Sequence, residues 1–286
     1  MRHTTYDKTA HLATTLVALL FGAAGFAESL DGLGTTVVHI TGSDYAYTGP
    51  DTVPAGFASV TFTNAGGEPH HVQIARLNDG ITPEQVLQAL RQDPGAALAL
   101  VELVGGVGVI MPGQSQTAVM DLSRPGTYIE LCLVPDADGV PHLAHGMTRF
   151  FEVTAASGEI VEPDIDADLV VRMVDFGYDL PAEVSAGRQV WEVVNDGPQP
   201  HEMALMKVAD GYDADDVMAY LQSGGEGGPP PAIPVGGAQV IADGRSNFVE
   251  LDLTPGLYVA LCYVPDPATG RPHLALGMVT TFVVRD

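Results

Sequence analysis

The sequence predicts an all-β protein built as two tandem β-sandwich domains, each with a short helical insertion. Two observations carry that prediction. First, His70, Cys132, His142 and Met147 reappear as His201, Cys262, His273 and Met278, at offsets of 131, 130, 131 and 131 residues. A near-constant offset across four residue types means that a whole domain is duplicated. Second, the segments around these residues alternate apolar and polar side chains with period two and are separated by Gly- and Pro-containing turns, the signature of short strands. With 33 Gly, 21 Pro, 46% hydrophobic and 17% charged residues, the composition suits a packed strand-and-turn protein and not a disordered one.

The elements follow in order. Residues 1–27 read as a secretory signal: Arg2 and Lys8 precede an apolar stretch from Leu12 to Phe26, and Gly25-Phe26-Ala27 supplies the small residues of a cleavage site. That stretch is 15 residues long, short of the ~20 needed to span a bilayer. Cleavage is therefore expected to leave a periplasmic or extracellular protein with no membrane insertion. Domain 1 is assigned to 28–154, a linker to 155–165 and domain 2 to 166–286. Each domain opens on extended segments, Thr35 to Thr41 and Asp44 to Thr48 in one and Asp168 to Gly177 in the other. A turn follows (Val53 to Gly56, Val184 to Gly187), then an alternating strand, Ala58 to Asn64 or Gln189 to Asn195. Trp191 takes the place of Val60 and is expected in the core.

Each domain then makes a helical excursion. Thr82-Pro83-Glu84 starts a helix with Pro at its first position, and Val86, Leu87 and Leu90 form its apolar face. A second helical piece is expected from Pro94 to Leu103. In the other repeat Asp213 caps a helix running through Leu221, ahead of the Gly-rich stretch Gly224 to Pro231. Terminal strands close each domain: Thr127 to Leu133 with Thr148 to Thr154, and Leu257 to Val264 with Met278 to Val284.

The formal charge of −24 excludes binding to nucleic acid or anionic membrane through a general positive field. One cysteine per repeat at matching positions reads as two metal sites and not as a disulfide framework. Two imidazoles, a thiolate and a weak thioether form the donor set of a mononuclear blue-copper site. The candidate metal ligands are therefore His70, Cys132, His142 and Met147 in repeat one and His201, Cys262, His273 and Met278 in repeat two, with up to two copper ions and no catalytic residues. His71 and His145 lack counterparts, since Glu202 and Leu276 stand there, and are assigned with Arg149 to the surface.

The contexts of these residues sharpen the picture. Residues 62–72 (FTNAGGEPHHV) and 193–203 (VVNDGPQPHEM) both read Asn, four residues, Pro, His. Residues 125–147 and 255–278 both contain Pro-Gly-x-Tyr-x3-Cys, then Pro-His-x4-Met. Both halves of the chain in this way resemble the cupredoxins, in particular the plastocyanin-like branch. That resemblance implies a Greek-key β-sandwich with copper at one end and one-electron transfer as the function. Tyr128 and Tyr258, four residues before each cysteine, are similar to a tyrosine corner and so structural. One departure is visible: nine residues separate Cys132 from His142 and ten separate Cys262 from His273, more than in small carriers of the family. The excess reads as exposed turns at Asp136 to Gly139 and Asp266 to Gly270.

The resemblance also implies a redox protein partner docking near His142 or His273 through exposed imidazole edges, ringed by Leu143, Ala144, Leu274, Ala275 and Leu276. Two-domain relatives of this family include nitrite reductases and multicopper oxidases, which wire two centres through adjacent Cys and His. Here Leu133 and Tyr263 follow the cysteines, so an electron carrier is expected and an enzyme is not. A copper-free cupredoxin-fold binding module, or a copper carrier without redox role, stands as the alternative.

Overall fold

The computed structural model describes residues 29–30, 33, 36–92, 94–223, 228 and 230–286. The expected signal segment and most of the Gly-rich stretch at 224–229 lie outside these. Repeat one contains strands β1 (Thr36–Ser43), β2 (Ala46–Thr48), β3 (Thr52–Pro54), β4 (Gly56–Asn64) and β5 (His70–Leu77), then helices α1 (Pro83–Gln92) and α2 (Pro94–Ala97). Strands β6 (Val101–Ile110), β7 (Ser115–Leu122), β8 (Gly126–Leu131) and β9 (Thr148–Thr154) complete it. Repeat two runs in the same order: β10 (Leu169–Val174), β11 (Gly177–Asp179), β12 (Glu183–Ser185), β13 (Gly187–Asn195), β14 (His201–Val208), α3 (Ala214–Gln222), β15 (Ala232–Ile241), β16 (Ser246–Leu253), β17 (Gly256–Leu261) and β18 (Val279–Arg285).

These strands make two sheets, as expected of a sandwich, but the pairing is mixed and not purely antiparallel. β1 runs parallel to β4, β10 to β13, β3 to β9 and β12 to β18. The helix in repeat two is capped as expected, with Asp213 and Asp216 in a reciprocal capping box. In repeat one the second helical piece is shorter than expected: a 3₁₀ turn takes over at Leu98, and Val101 to Leu103 already belong to β6. There the β-branched Val101 pairs with Leu77 of β5 and Val104 with Ile241 of β15.

The two repeats are joined edge to edge. One sheet has the order β11-β10-β13-β16-β7-β4-β1-β2 and the other β12-β18-β17-β14-β15-β6-β5-β8-β9-β3, so both sheets run through both repeats. At the joint Val107 pairs with Ala238 and Ala118 with Val249, each residue with its own counterpart. That self-pairing defines a pseudo-two-fold axis through the sandwich. Polar side chains stitch the joint: Gln73 Nε2 donates to Val240 O at 3.0 Å while its Oε1 accepts from Val240 N–H at 2.9 Å. Gln116 likewise spans to Glu250 O and Gly237 N–H, and Arg245 pairs with Glu102. The core between the sheets draws Val60, Ile74 and Ile129 from one repeat and Trp191, Val193 and Leu205 from the other. Trp191 is fully buried against Phe282, ring centroids 5.7 Å apart, as expected.

The antiparallel run β5-β6-β15-β14 turns the repeats head to tail. His70 starts β5 opposite Ile110, and His201 starts β14 opposite Ile241. The two histidines thus stand at opposite ends of the sandwich, six residues apart along the strands and three strands apart across them. Ladder spacings put them about 25 Å from each other.

Candidate metal centres

Asn64 and Asn195 build the approach to the first histidine. Asn64 Nδ2 donates to Glu68 O (2.8 Å) and Ile110 O (3.0 Å), and its Oδ1 accepts from Gly66 N–H (2.9 Å). Asn195 does the same toward Gln199, Ile241 and Gly197. The Asn of the Asn-x4-Pro-His motif therefore clamps the loop that delivers His70 or His201 to the end of its strand.

The long Cys-to-His loops fold back on themselves. Pro135 bridges to Pro141 and Pro265 to Pro272, closing a miniature hairpin over the exposed turns expected there. His142 N–H then reaches Val134 O at 2.9 Å, and Leu143 N–H reaches Cys132 O at 2.8 Å. In repeat two the equivalent bonds are both 2.8 Å. The extra residues are spent outside this closure, so the second histidine returns beside the cysteine in both repeats. Met147 and Met278 complete the loops: Cys132 N–H donates to Met147 O, Met147 N–H to His142 O, and the same pair recurs in repeat two. Both methionines are fully buried.

The result is two buried donor groups, His70–Cys132–His142 and His201–Cys262–His273, with the ligand atoms of each within 4.8 Å of one another. The two Nδ1 atoms face each other at 3.0 Å in both groups. Cysteine Sγ lies 3.6 Å from His142 Nδ1 and 3.5 Å from His273 Nδ1. Neither cysteine forms a disulfide.

Each ring meets a side-chain oxygen on its outer side, although His142 Nε2 forms no hydrogen bond with the oxygen it faces. His70 Nε2 lies 2.7 Å from Asp44 Oδ1 and His201 Nε2 2.6 Å from Asp175 Oδ1. His142 Nε2 sits 3.0 Å from Glu68 Oε2, and His273 Nε2 3.2 Å from Gln199 Oε1. For His70, His201 and His273 a hydrogen-bond acceptor at Nε2 places the ring proton there and leaves a lone pair on Nδ1. In repeat two, two lone pairs then point at each other at 3.0 Å with a sulfur beside them, an arrangement that repels itself until a cation lies between. Burial lowers the pKa of His142, His201 and His273, holding the rings in their metal-binding form. Burial also pushes the Cys132 thiol up to about 11, against the pull of the backbone N–H groups of His71 and Val134. Cys262 is raised by burial and by neighbouring Glu202. Soft thiolate plus imidazole fits copper, one ion per repeat.

Three sequence assignments need correction. His142 and His273 present no exposed edge: both are 0% exposed, because Tyr45 and Phe176 lie over the rings at 4.9 and 4.8 Å. Of the expected apolar ring, Leu274 is itself buried. His71 is not a surface residue: it is 3% exposed and its Nε2 accepts Leu133 N–H at 2.6 Å. Glu202 performs the same task for Tyr263 N–H at 2.8 Å. Arg149 is largely buried, 3.6 Å from buried Glu130. His145 is at the surface as expected, paired with Asp136 at 2.7 Å and stacked on Tyr45. The tyrosine corners form as expected, with Tyr128 OH donating to Arg124 O and Tyr258 OH to Thr254 O.

Sequence reasoning missed the outer residues, although a signal existed. Asp44-Tyr45-Ala46-Tyr47 and Asp175-Phe176-Gly177-Tyr178 repeat at the 131-residue offset. The aspartates orient the first histidine, the aromatic residues cover the second, and the tyrosine hydroxyls donate to His71 O and Glu202 O at 2.5 and 2.7 Å.

No protein-family model matches the chain, and no curated protein does. Solved structures do. The chain is similar to a sodium dithionite-reduced auracyanin from Roseiflexus castenholzii, at 25% identity over 42% of this chain and 98% of that one, TM-score 0.30. It is also similar to a blue copper oxidase from Nitrosomonas europaea, at 15% identity over 88% and 86% of the two chains, TM-score 0.27. A copper nitrite reductase from the same organism aligns at 13% identity over 88% and 94%, TM-score 0.25.

Proposed function

We propose that this chain is a copper-binding one-electron carrier of cupredoxin type, with one mononuclear site in each repeat and an extracytoplasmic location. The observation that carries the reading is the paired convergence, in each repeat, of two Nδ1 atoms and a buried cysteine sulfur. His70, Cys132 and His142 would hold one ion and His201, Cys262 and His273 the other, with Met147 and Met278 as weak fourth donors. When bound, copper supplies a couple between its monovalent and divalent states, which this donor set accommodates in one arrangement. The chain supplies the rest. Asp44 and Asp175 fix the ring tautomers, the miniature hairpins hold Cys and His in register, and the covering aromatics exclude water.

Two features favour a carrier over a catalyst. Leu133 and Tyr263, not histidines, follow the cysteines, so neither site is joined to a neighbour through adjacent ligands. Among the described residues each group is a single three-donor cluster, without a second cluster beside it. The location rests on the basic and apolar character of residues 1–27, and no described helix is long and apolar enough to cross a membrane. A redox partner would have to approach past Tyr45 or Phe176, since those rings cover the imidazoles.

Copper loading followed by elemental analysis and visible spectroscopy tests the reading. Two ions per chain and an intense thiolate-to-copper band are expected, falling to one ion in Cys132→Ala or Cys262→Ala. Protein that takes up no copper, or a band that survives loss of both cysteines, refutes it. Nitrite reduction or phenol oxidation by the loaded protein would overturn the carrier assignment.

A further inference from the structure

We propose that the two centres are electrically unequal, and that the residue opposite the second imidazole, Glu68 in repeat one and Gln199 in repeat two, sets the difference. The inference rests on the copper reading above. The pseudo-two-fold axis makes the inner donors alike: the facing Nδ1 atoms are 3.0 Å apart in both groups, and each first histidine has its aspartate. The outer layer breaks the symmetry. In repeat one both imidazoles face carboxylates, Asp44 on His70 and Glu68 on His142. Tyr45 OH donates to Glu68 Oε2 at 3.2 Å and fixes that carboxylate in place. In repeat two His273 faces an amide oxygen, that of Gln199. The Gln199 NH₂ group turns away toward Asp175 and Asp266, at 3.3 and 3.4 Å. Phe176 replaces Tyr45, and Leu276 replaces His145.

A carboxylate close behind an imidazole acts on the ring through its charge, here at 3.0 Å from His142 Nε2 without a hydrogen bond, and such outer partners are worth 10- to 100-fold in metal affinity. The full negative charge of Glu68 favours the more highly charged state of whatever ion His142 helps to hold. The neutral amide of Gln199 does so less. Repeat one therefore holds divalent copper more firmly, relative to monovalent copper, than repeat two, and its midpoint potential is the lower. A tenfold difference in that ratio corresponds to about 59 mV for one electron. Glu202, the buried carboxyl beside Cys262, acts in the opposite sense and is the competing explanation that the test must separate.

The test uses single-site proteins. Cys262→Ala leaves site one and Cys132→Ala leaves site two, and each is loaded with copper. Its Cu(II) affinity is measured by chelator competition and its midpoint by spectroelectrochemistry. Site one should be lower in potential by roughly 59 mV or more. Glu68→Gln in the first protein should raise its midpoint and weaken Cu(II) binding about tenfold, and Gln199→Glu in the second should do the reverse. Glu68 is partly exposed and the exchange is isosteric, so folding is not at stake. Equal midpoints in the two proteins overturn the inference. So does a gap that Glu202→Gln widens or closes while Glu68→Gln leaves it unchanged. If neither protein takes copper, the metal reading fails and this inference with it. If both load but match, only this inference fails.

Discussion

His71 and Glu202 occupy the same position of the two repeats and accept the same backbone N–H, yet one is a base and the other an acid. Stability should therefore respond to pH in opposite senses through them. Burial lowers His71 from 6.5 to about 4, only partly offset by the neighbouring Gln239 side chain. Burial raises Glu202 from 4.5 to about 7, partly offset by the Tyr263 N–H. At about 1.4 kcal/mol per pH unit, each shift is worth about 3 kcal/mol of pH-linked stability. For His71 the unfolded chain holds the proton more tightly, so its contribution is intact above pH 6.5 and is lost as the pH falls toward 4. For Glu202 the folded chain holds the proton more tightly, so its contribution is intact below pH 4.5 and is lost as the pH rises through 7. The assay is guanidinium unfolding of metal-free protein, followed by the fluorescence of Trp191, the single tryptophan. Relative to the parent, His71→Gln should gain about 3 kcal/mol between pH 7 and pH 4. Glu202→Gln should gain a similar amount in the other direction, from pH 4.5 to pH 7.5. Taking differences from the parent removes every other titrating group, Glu130 included. Differences that stay flat with pH, or that drift the same way in both variants, refute the argument.

Three further outcomes follow from single contacts. A Cβ on Gly66 would lie 2.2 Å from Asp44 Oδ1 and 2.6 Å from His70 Nε2. Gly66→Ala should thus separate that pair and weaken copper at site one 10- to 100-fold while leaving site two intact, as read by chelator competition. Tyr258→Phe removes the hydrogen bond to Thr254 O and should cost about 1 kcal/mol in denaturant unfolding, with no change in metal stoichiometry. A Cβ on Gly108 would meet the carbonyl of Gly236 in the other repeat at 2.4 Å. Gly108→Ala should cost 1–3 kcal/mol, about the usual overpacking penalty, and Trp191 in repeat two should report it in one transition. Two separate transitions would show that the repeats fold independently.

The inner site was legible because its chemistry restricts residue type: few side chains other than Cys and His offer soft donors, so the duplicated set stood out against the rest of the chain. The outer shell was harder to read. Asp44 and Glu68 are ordinary acidic residues in a chain with 36 of them, and only the fold brings them behind His70 and His142. Burial is hard to read from sequence for a related reason. A histidine on a loop reads as exposed, but His142 lies under Tyr45, which is 97 residues earlier in the chain. The excess loop length is legible as a turn because Asp and Gly carry their own turn chemistry, exposed at 137–139 and 267–270 although Asp266 itself is buried.

Tandem domains were legible from the offset, but the fusion of their sheets was not, because periodicity reports which face of a strand is buried and says nothing about what lies beyond its edge. The informative residues are the paired glycines Gly105-Gly106 and Gly236-Gly237. A side chain on Gly106 would strike Val72 O at 1.9 Å, and one on Gly237 would strike Met203 O at 2.0 Å. These glycines sit where β5 against β6, and β14 against β15, shift register. β6 and β15 each have two neighbours, β5 or β14 on one side and each other on the other. Joining the repeats edge to edge removes two exposed strand edges from each sheet. It also imposes antiparallel sense on β5 and β14, which sends the two histidines to opposite ends of the molecule. The pairing of β6 with β15 therefore also keeps the two centres about 25 Å apart, so that each must be approached from its own end.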